Sequence, residues 1–191
     1  MKYFIILLFV SFFYSCNINK ISSALYDMKE KKVCFKDLEP ILLGKELSTG
    51  SINLSSKDAR LVVYFDSTSC QSCRVNKLYE WNNIIEIESE SRGEFEIIFI
   101  FSPSISQKAL LKRSLAVSKF AHVVWFDYNN YFLKNNTFIP KDNRFHVFLL
   151  DKNNKIVFVG NPLYGEKIAK LFNQVLKNLI ENDGEYKENG I

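Results

Sequence analysis

The feature of this chain that most suggests chemistry is a pair of cysteines separated by two residues. Cys70 and Cys73 lie in the segment SCQSC. A thiolate at the first position can attack a disulfide, and the second thiol can then resolve the mixed disulfide that forms. Two thiols one helical turn apart can also close a disulfide with each other. The spacing therefore favours a pair that takes part in thiol–disulfide exchange.

The same spacing fits two other interpretations. Cys-x-x-Cys is half of a structural zinc site, but such a site usually contains a second close pair of ligands. Here Cys34 stands alone, and His122 and His146 are far apart in the chain. A structural disulfide without turnover fits the spacing as well. Redox chemistry is the first interpretation, and a structural disulfide and a metal site are the alternatives.

The position of the pair strengthens the redox interpretation. An apolar run over 61–65 precedes it, as expected for a strand covered on both faces, and helical periodicity follows over 71–90. Cys70 would then begin the helix, where unpaired amides and the positive end of the helix dipole stabilise a thiolate, and Arg74 adds positive charge. We therefore expect Cys70 to be the nucleophile, with a pKa below the free-thiol value of about 8.5. We expect Cys73, the resolving thiol, to lie deeper and to be covered by the sheet.

The rest of the chain alternates between strand-like and helix-like segments. Strand–helix–strand units require parallel pairing with right-handed crossovers, whereas two strands joined by a short polar loop form an antiparallel hairpin. The order predicts an α/β fold, a three-layer sandwich with a mixed central sheet. The segments are strand 96–101, helix 105–115, strand 122–126, short helix 128–134, strand 145–150, hairpin loop 151–154, strand 155–159 and helix 168–179.

Residues 1–15 predict export. One cation, Lys2, is followed by an apolar run that is too short to span a bilayer comfortably, as in a secretory signal. The run ends at Ser15-Cys16, which resembles the cleavage site of bacterial lipoproteins, so we expect Cys16 to be the lipid-carrying mature N-terminus. An ordinary signal peptide and an uncleaved anchor are the alternatives. We expect the protein to be membrane-anchored in the cell envelope and to face the periplasm, where disulfides persist.

Composition and charge limit the remaining classes. The 191 residues are 47% hydrophobic and 24% charged, which is typical of a globular domain rather than a disordered chain. The net charge of +4 comes with no block of Lys or Arg, so nucleic acid is not an expected partner. We expect a tether and N-terminal extension over 16–54, a single domain over 55–181 and a polar, frayed tail over 182–191. We expect a monomer.

Several segments resemble the thioredoxin-like superfamily. VVYFDSTSCQSC at 62–73 is similar to the entry to its active site, and FLLDKNNK at 148–155 with GNP at 160–162 is similar to a late signature of one branch. WFD at 125–127 resembles the extra strand inserted before the closing hairpin in that branch, the small TlpA-like lipoproteins of the Bacteroidota. The resemblance implies a thioredoxin-like fold and a membrane-anchored thiol–disulfide oxidoreductase. Its partners would be protein thiols or disulfides, and no organic cofactor would be needed.

The chain departs from this family near the cysteines. The family usually has a cis-proline just before the FLLD strand, but Phe145 stands there and the nearest proline is Pro140. A cis bond without proline costs about 2.5–4 kcal/mol, so we expect Phe145 to face the cysteines through a trans bond. With this alignment Arg144 lies beside the cysteines, where it either lowers their pKa or is a solvated cation.

A further departure leaves the proton acceptor open. Tyr64 occupies the place of the buried acid of thioredoxin, and Asp66 is the nearest carboxylate in sequence. His146, in an apolar strand, is either a hydrogen-bonded structural residue or a proton relay. The missing proline supports a rival function, a binding module that keeps the fold without turnover. A third hypothesis is a metal-handling protein that uses the two cysteines with His146.

Overall fold

The computed structural model describes residues 20–43, 45–46, 57–68 and 70–188. Their strands are β1 (Glu39–Leu42), β2 (Lys45–Glu46), β3 (Ala59–Phe65), β4 (Phe95–Phe101), β5 (Val124–Phe126), β6 (Val147–Leu150) and β7 (Ile156–Val159). They form one sheet in the order β2-β1-β5-β4-β3-β6-β7. β3, β4 and β5 are parallel, and the other neighbouring pairs are antiparallel. The predicted α/β fold with a mixed central sheet is confirmed.

Helices cover both faces of the sheet. They are α1 (residues 20–28), α2 (Gln71–Val75), α3 (Asn82–Glu90), α4 (Lys108–Ser118), α5 (Tyr131–Asn135) and α6 (Glu166–Glu181). The segment 71–90, predicted to be one helix, is instead divided into α2 and α3 by a 3-10 turn over Leu78–Trp81. Such a turn brings side chains three residues apart into line, and Leu78 and Trp81 are both buried. The break therefore allows two large side chains to enter the core together.

Two hydrophobic layers lie on opposite faces of the sheet. Successive side chains of β3 alternate between the two faces. Leu61 and Val63 belong to the layer under α2, α3, α4 and α6, and Val62 and Tyr64 belong to the layer under α1 and α5. Burial on both faces explains why this strand is a continuous apolar run. It also holds β3 rigidly at the point where the chain turns toward the cysteines.

The strand predicted from the WFD segment is β5. It pairs parallel with β4 and antiparallel with β1, which belongs to the N-terminal extension. The extension therefore adds strands to the sheet and is more than a tether. The helix between β4 and β5, α4, packs against α2. This contact places the inserted segment next to the helix that begins at the cysteines.

Expectations about the loops and termini have different outcomes. The hairpin loop forms as predicted, with Asn154 at a positive φ of 64°. The prediction of a frayed tail is wrong for residues 182–188, because Glu188 pairs with Lys29 at 2.8 Å and the Lys187 N–H donates to Asn178 at 2.9 Å.

The predicted signal peptide and Cys16 lie outside the described residues. Within those residues no helix is long and apolar enough to cross a bilayer.

Candidate active site

The two cysteines lie directly after β3, at the start of α2. Cys70 and Cys73 are joined in a disulfide, with their Cα atoms 5.3 Å apart. Cys70 has an extended backbone and caps α2, because its Sγ accepts the Cys73 N–H at 3.3 Å. The Ser72 hydroxyl oxygen lies 3.5 Å from the same sulfur. In the reduced protein these donors would stabilise a thiolate at Cys70, since hydrogen bonds to the charged form favour it.

The expectation that the sheet covers Cys73 is wrong, because both cysteines are exposed. Gln71 and Val75 are the buried residues of this turn, each about 2% exposed. Each helical residue turns the chain by about 100°, so Cys73 lies on the opposite side of the helix from Gln71. The Gln71 amide donates to the backbone carbonyl of Asp66 and ties the first turn of α2 to the end of β3. Both sulfurs of the disulfide are therefore open to an external thiol.

The carboxylate nearest in sequence, Asp66, is buried together with His146. Asp66 accepts from the Thr68 amide at 3.1 Å and from the Thr68 hydroxyl at 2.7 Å. His146 Nδ1 lies 4.0 Å from Asp66 Oδ2, and its Nε2 donates to the Pro140 carbonyl at 2.9 Å. Burial lowers the pKa of His146 below its usual 6.5 and raises that of Tyr64, which packs against the imidazole, to about 12. The imidazole is therefore neutral near pH 7.

The two predicted cationic neighbours, Arg74 and Arg144, meet at one small cavity. It has a volume of about 50 Å³ and is also lined by Asp66, His146 and Tyr164. Arg144 is exposed and forms an ion pair with Asp142 at 2.6 Å. The hydrogen bond from Arg144 lowers the pKa of the Asp142 carboxyl. The charge of Arg144 is thus already balanced, whereas Arg74 has no ion-pair partner among the described residues.

The side chain of Phe145 does not lie with its two neighbours in this cavity. It is 5% exposed and packs in the hydrophobic layer under α1 and α5, on the opposite face of the sheet from α2. Its neighbours Arg144 and His146 line the cavity instead. All described peptide bonds are trans, as predicted for this position. The expectation that the Phe145 side chain is an active-site neighbour is not met, because its aromatic ring is buried in the hydrophobic core.

The remaining candidates have other surroundings. Cys34 is a free, half-buried cysteine whose backbone amide donates to Asn136 at 2.8 Å. His122 pairs with Glu88 at 2.8 Å, away from the cavity that holds His146. The described residues contain no group of three His, Cys, Asp or Glu side chains that could hold a metal ion.

Sequence reasoning missed the buried role of Gln71, although its spacing from Val75 and Leu78 is that of an inward helical face.

Comparison with solved structures identifies the fold. An uncharacterized thioredoxin-like protein from Porphyromonas gingivalis matches with a TM-score of 0.50 and 16% identity, over 85% of this chain and 99% of that one. Two further matches fall below that score. Peroxiredoxin Q from Xanthomonas campestris has a TM-score of 0.49 and 16% identity over 80% and 97% of the two chains. A thioredoxin-like protein from Bacteroides caccae has 0.48 and 12% identity over 84% and 55%.

These identities are low, so the comparison concerns the fold. No family model and no curated protein matches the sequence. The chain has a thioredoxin-like fold, and the resemblance drawn from its motifs is confirmed at that level. The cysteine pair stands where the first buried strand leads into a helix of this fold.

Proposed function

We propose that this protein is a membrane-anchored, extracytoplasmic thiol–disulfide oxidoreductase. The observation that carries the proposal is the exposed Cys70–Cys73 disulfide at the end of β3, with donors directed at Cys70 Sγ. The membrane anchor is proposed from the apolar N-terminus that ends at Cys16. A stable anchor needs more than one acyl chain, as the lipid on such a cysteine would supply.

The exchange reaction needs only the two cysteines and a partner. The Cys70 thiolate attacks one sulfur of a partner disulfide and displaces the other as a thiolate. Cys73 then loses its proton, attacks Cys70 Sγ and releases the second partner thiolate, which leaves the Cys70–Cys73 disulfide. The partner gains two electrons and the protein loses two. The reverse sequence oxidises a partner dithiol.

Trapping the mixed disulfide tests this assignment. The full chain, reduced and held in detergent, is mixed with hydroxyethyl disulfide, and adducts are identified by mass spectrometry. Cys73→Ser should accumulate an adduct on Cys70, whereas the wild type should return to the internal disulfide. In reduced wild-type protein, equal rates of alkylation of Cys70 and Cys73, or a hydroxyethyl adduct found on Cys73 alone, would show that the nucleophile is misassigned.

A second function, a binding module without turnover, is favoured by one observation. Phe145 occupies the position where the related proteins have a cis-proline, and its ring is buried in the core. Wild-type protein that forms no adduct and exchanges no disulfide would support this second function. The same sample tests the anchor, because mass spectrometry of the membrane fraction should find a lipid-modified Cys16 at the N-terminus.

A further inference from the structure

The buried side chain of His146 has one nitrogen that the fold does not use. The residue is 2% exposed, and its Nε2 lies 2.9 Å from the Pro140 carbonyl oxygen. A carbonyl can only accept, so Nε2 carries the hydrogen and Nδ1 of the neutral ring carries a lone pair. Nδ1 is buried and has no hydrogen-bond partner among the described residues. A buried acceptor without a partner is costly, which makes Nδ1 a candidate for a functional role.

His146 lines a polar cavity that has room for water. The cavity has a volume of about 50 Å³, and its wall includes Asp66 and Arg74. A water molecule needs only about 10–15 Å³ of such volume. Oδ2 of Asp66 lies 4.0 Å from Nδ1 of His146, and two acceptors that receive hydrogen bonds from one water lie about 4–4.5 Å apart. One water can therefore donate to both atoms, and the carboxylate would stabilise a proton that reaches Nδ1.

This cavity is joined to the cysteine segment in three places. Thr68, two residues before the first cysteine, donates to the Asp66 carboxylate through its amide and its hydroxyl. Gln71, which lies between the two cysteines, donates to the Asp66 backbone carbonyl. Arg74, which directly follows the second cysteine, is part of the cavity wall. The pair formed by Asp66 and His146 is thus connected to the short turn that carries both sulfurs.

We propose that His146, supported by Asp66, receives the proton that Cys73 loses when it resolves the mixed disulfide, and that water in this cavity carries the proton. The inference rests on the proposed function, which includes the resolving step. A free thiol has a pKa of about 8.5, so only about 3% of it is ionised at pH 7. A base that takes up the proton raises this fraction and therefore speeds the attack by Cys73.

Proton and electrons balance within one turnover. The Cys73 proton passes to Nδ1, and the imidazolium forms beside the Asp66 carboxylate. The Cys73 thiolate attacks Cys70 Sγ, and the bond from Cys70 to the partner breaks as the Cys70–Cys73 bond forms. The partner thiolate leaves with the electron pair and takes up the proton from His146, which returns the ring to its neutral form.

The surroundings of His146 suit a group that both accepts and releases a proton. Burial lowers the pKa of the imidazole, and the Pro140 carbonyl and the nearby carboxylates oppose that shift. A base with a pKa close to the working pH transfers protons most effectively. The titratable and charged side chains around the ring come from several elements: Tyr64 and Asp66 at the end of β3, Arg74 of α2, Asp142 and Arg144 before β6, and Tyr164 after β7.

The lifetime of the mixed disulfide tests the proposal. The reduced full chain, held in detergent, is mixed with hydroxyethyl disulfide, quenched with acid at intervals and analysed by mass spectrometry for the adduct on Cys70. At pH 7 His146→Gln should form the adduct at the wild-type rate and resolve it about tenfold more slowly, since ionising a thiol of pKa about 8.5 completely gains at most about thirtyfold. The deficit should disappear at about pH 9.5, where Cys73 loses its proton to solvent.

A matched variant and the pH profile separate a role in proton transfer from a structural role. His122→Gln replaces the histidine that pairs with Glu88 and should resolve the adduct at the wild-type rate throughout. A deficit in His146→Gln that is equally large at pH 7 and about pH 9.5 would overturn the proposal, because a structural defect does not depend on the ionisation of Cys73. An equal deficit in His122→Gln would also overturn it.

A measurement on the wild-type chain does not depend on the folding of His146→Gln. The sequence contains two histidines, so their nitrogen-labelled imidazole signals can be followed by NMR and assigned with His122→Gln. The ring of His146 should carry its hydrogen on Nε2 at pH 7, and its pKa should rise when the disulfide is reduced, because a nearby thiolate favours the imidazolium. Hydrogen on Nδ1, or the same pKa in oxidised and reduced protein, would overturn the proposal.

Two further outcomes separate the sources of failure. Wild-type protein that forms no adduct with hydroxyethyl disulfide would overturn the proposed function and this inference with it. Wild-type protein that exchanges disulfides, together with a His146→Gln variant that resolves the adduct equally fast at pH 7, would overturn this inference alone.

Discussion

Buried ionisable side chains lie at both ends of β3, but in different settings. At the amino end Arg60 is fully buried, donates to Asn154 at 3.0 Å and lies 3.6 Å from the Glu96 carboxylate. At the carboxyl end Asp66 lies 4.0 Å from His146 and precedes the exposed Cys70 by four residues. The amino end joins β3 to β4 through an ion pair and to the hairpin loop through a hydrogen bond. The carboxyl end leads from buried polar groups to the exposed cysteine pair.

The comparison shows how a buried charge can be assigned to structure or to function. Removing a charge from water is costly unless partners replace the water. Arg60 has such partners from other elements, which indicates a structural role. At the carboxyl end, Thr68 donates to Asp66, Nδ1 of His146 lies 4.0 Å from the same carboxylate, and burial lowers the pKa of His146. A buried titratable group with a shifted pKa that lines a cavity, as His146 does, is a feature of functional sites.

The largest expected effect is the loss of exchange activity at the carboxyl end, without a loss of stability. Cys70→Ser should reduce disulfide exchange to the uncatalysed rate, because the nucleophile is lost. Its unfolding free energy in urea should remain within about 0.5 kcal/mol of that of the reduced wild type, since the residue is exposed. Appreciable residual exchange by this variant would contradict the comparison, because the carboxyl end would not depend on Cys70.

The next effect concerns the amino end. Arg60→Met should lower the unfolding free energy by about 3 kcal/mol, because Glu96 and Asn154 lose a buried partner, and should leave the exchange rate of folded protein unchanged. Adding Glu96→Gln should restore part of the loss. Arg113→Met at an exposed site is the matched control and should change stability by no more than about 0.5 kcal/mol. Comparable urea curves for the two single variants would show that Arg60 is not a structural centre.

A smaller effect comes from His122. Burial alone would lower the pKa of this imidazole, but the hydrogen bond and charge of Glu88 raise it above 6.5. Folding therefore favours the protonated form, and the resulting stability is fully present below pH 6.5 and is lost as pH rises through the higher pKa of the folded state. Urea unfolding from pH 5.5 to about 8.5 should show that the advantage of wild type over His122→Gln shrinks as pH rises. A difference in unfolding free energy that stays constant across this pH range would contradict the raised pKa of His122.

The smallest effect comes from His146, whose pKa is shifted in the opposite direction from that of His122. Burial lowers the pKa of this imidazole, while the Pro140 carbonyl and Asp66 oppose the shift only in part. The unfolded chain then binds the proton more readily, so stability falls as pH decreases below 6.5. His146→Gln should remove this decrease in a urea series from pH 7.5 to about 5, whereas His122→Gln should retain it. Identical profiles of unfolding free energy against pH for the two variants would contradict the opposite pKa shifts of the two histidines.

Local patterns predicted most of the framework of the fold. Continuous apolar runs located β3, β4, β6 and β7, because a strand covered on both faces needs apolar side chains at every position. The Asn154 turn was predictable because asparagine tolerates positive φ. The motif at Cys70 and Cys73 indicated the type of chemistry, since the reactivity of paired thiols depends first on residue type and spacing. The break between α2 and α3 had no comparable local signal, because it follows from burying Leu78 and Trp81 together.

By itself, then, the sequence determined the order of the main strands and helices and the place of the cysteine pair, because these depend on neighbours in the chain. Only the tertiary structure decided that Cys73 is exposed and Gln71 buried, because this depends on which side of α2 faces the sheet. It also decided that the Phe145 ring enters the core while His146 lies beside Asp66. Arg60 and Asn154 meet across 94 positions, and contacts of that range depend on how the strands pair, which no local pattern specifies.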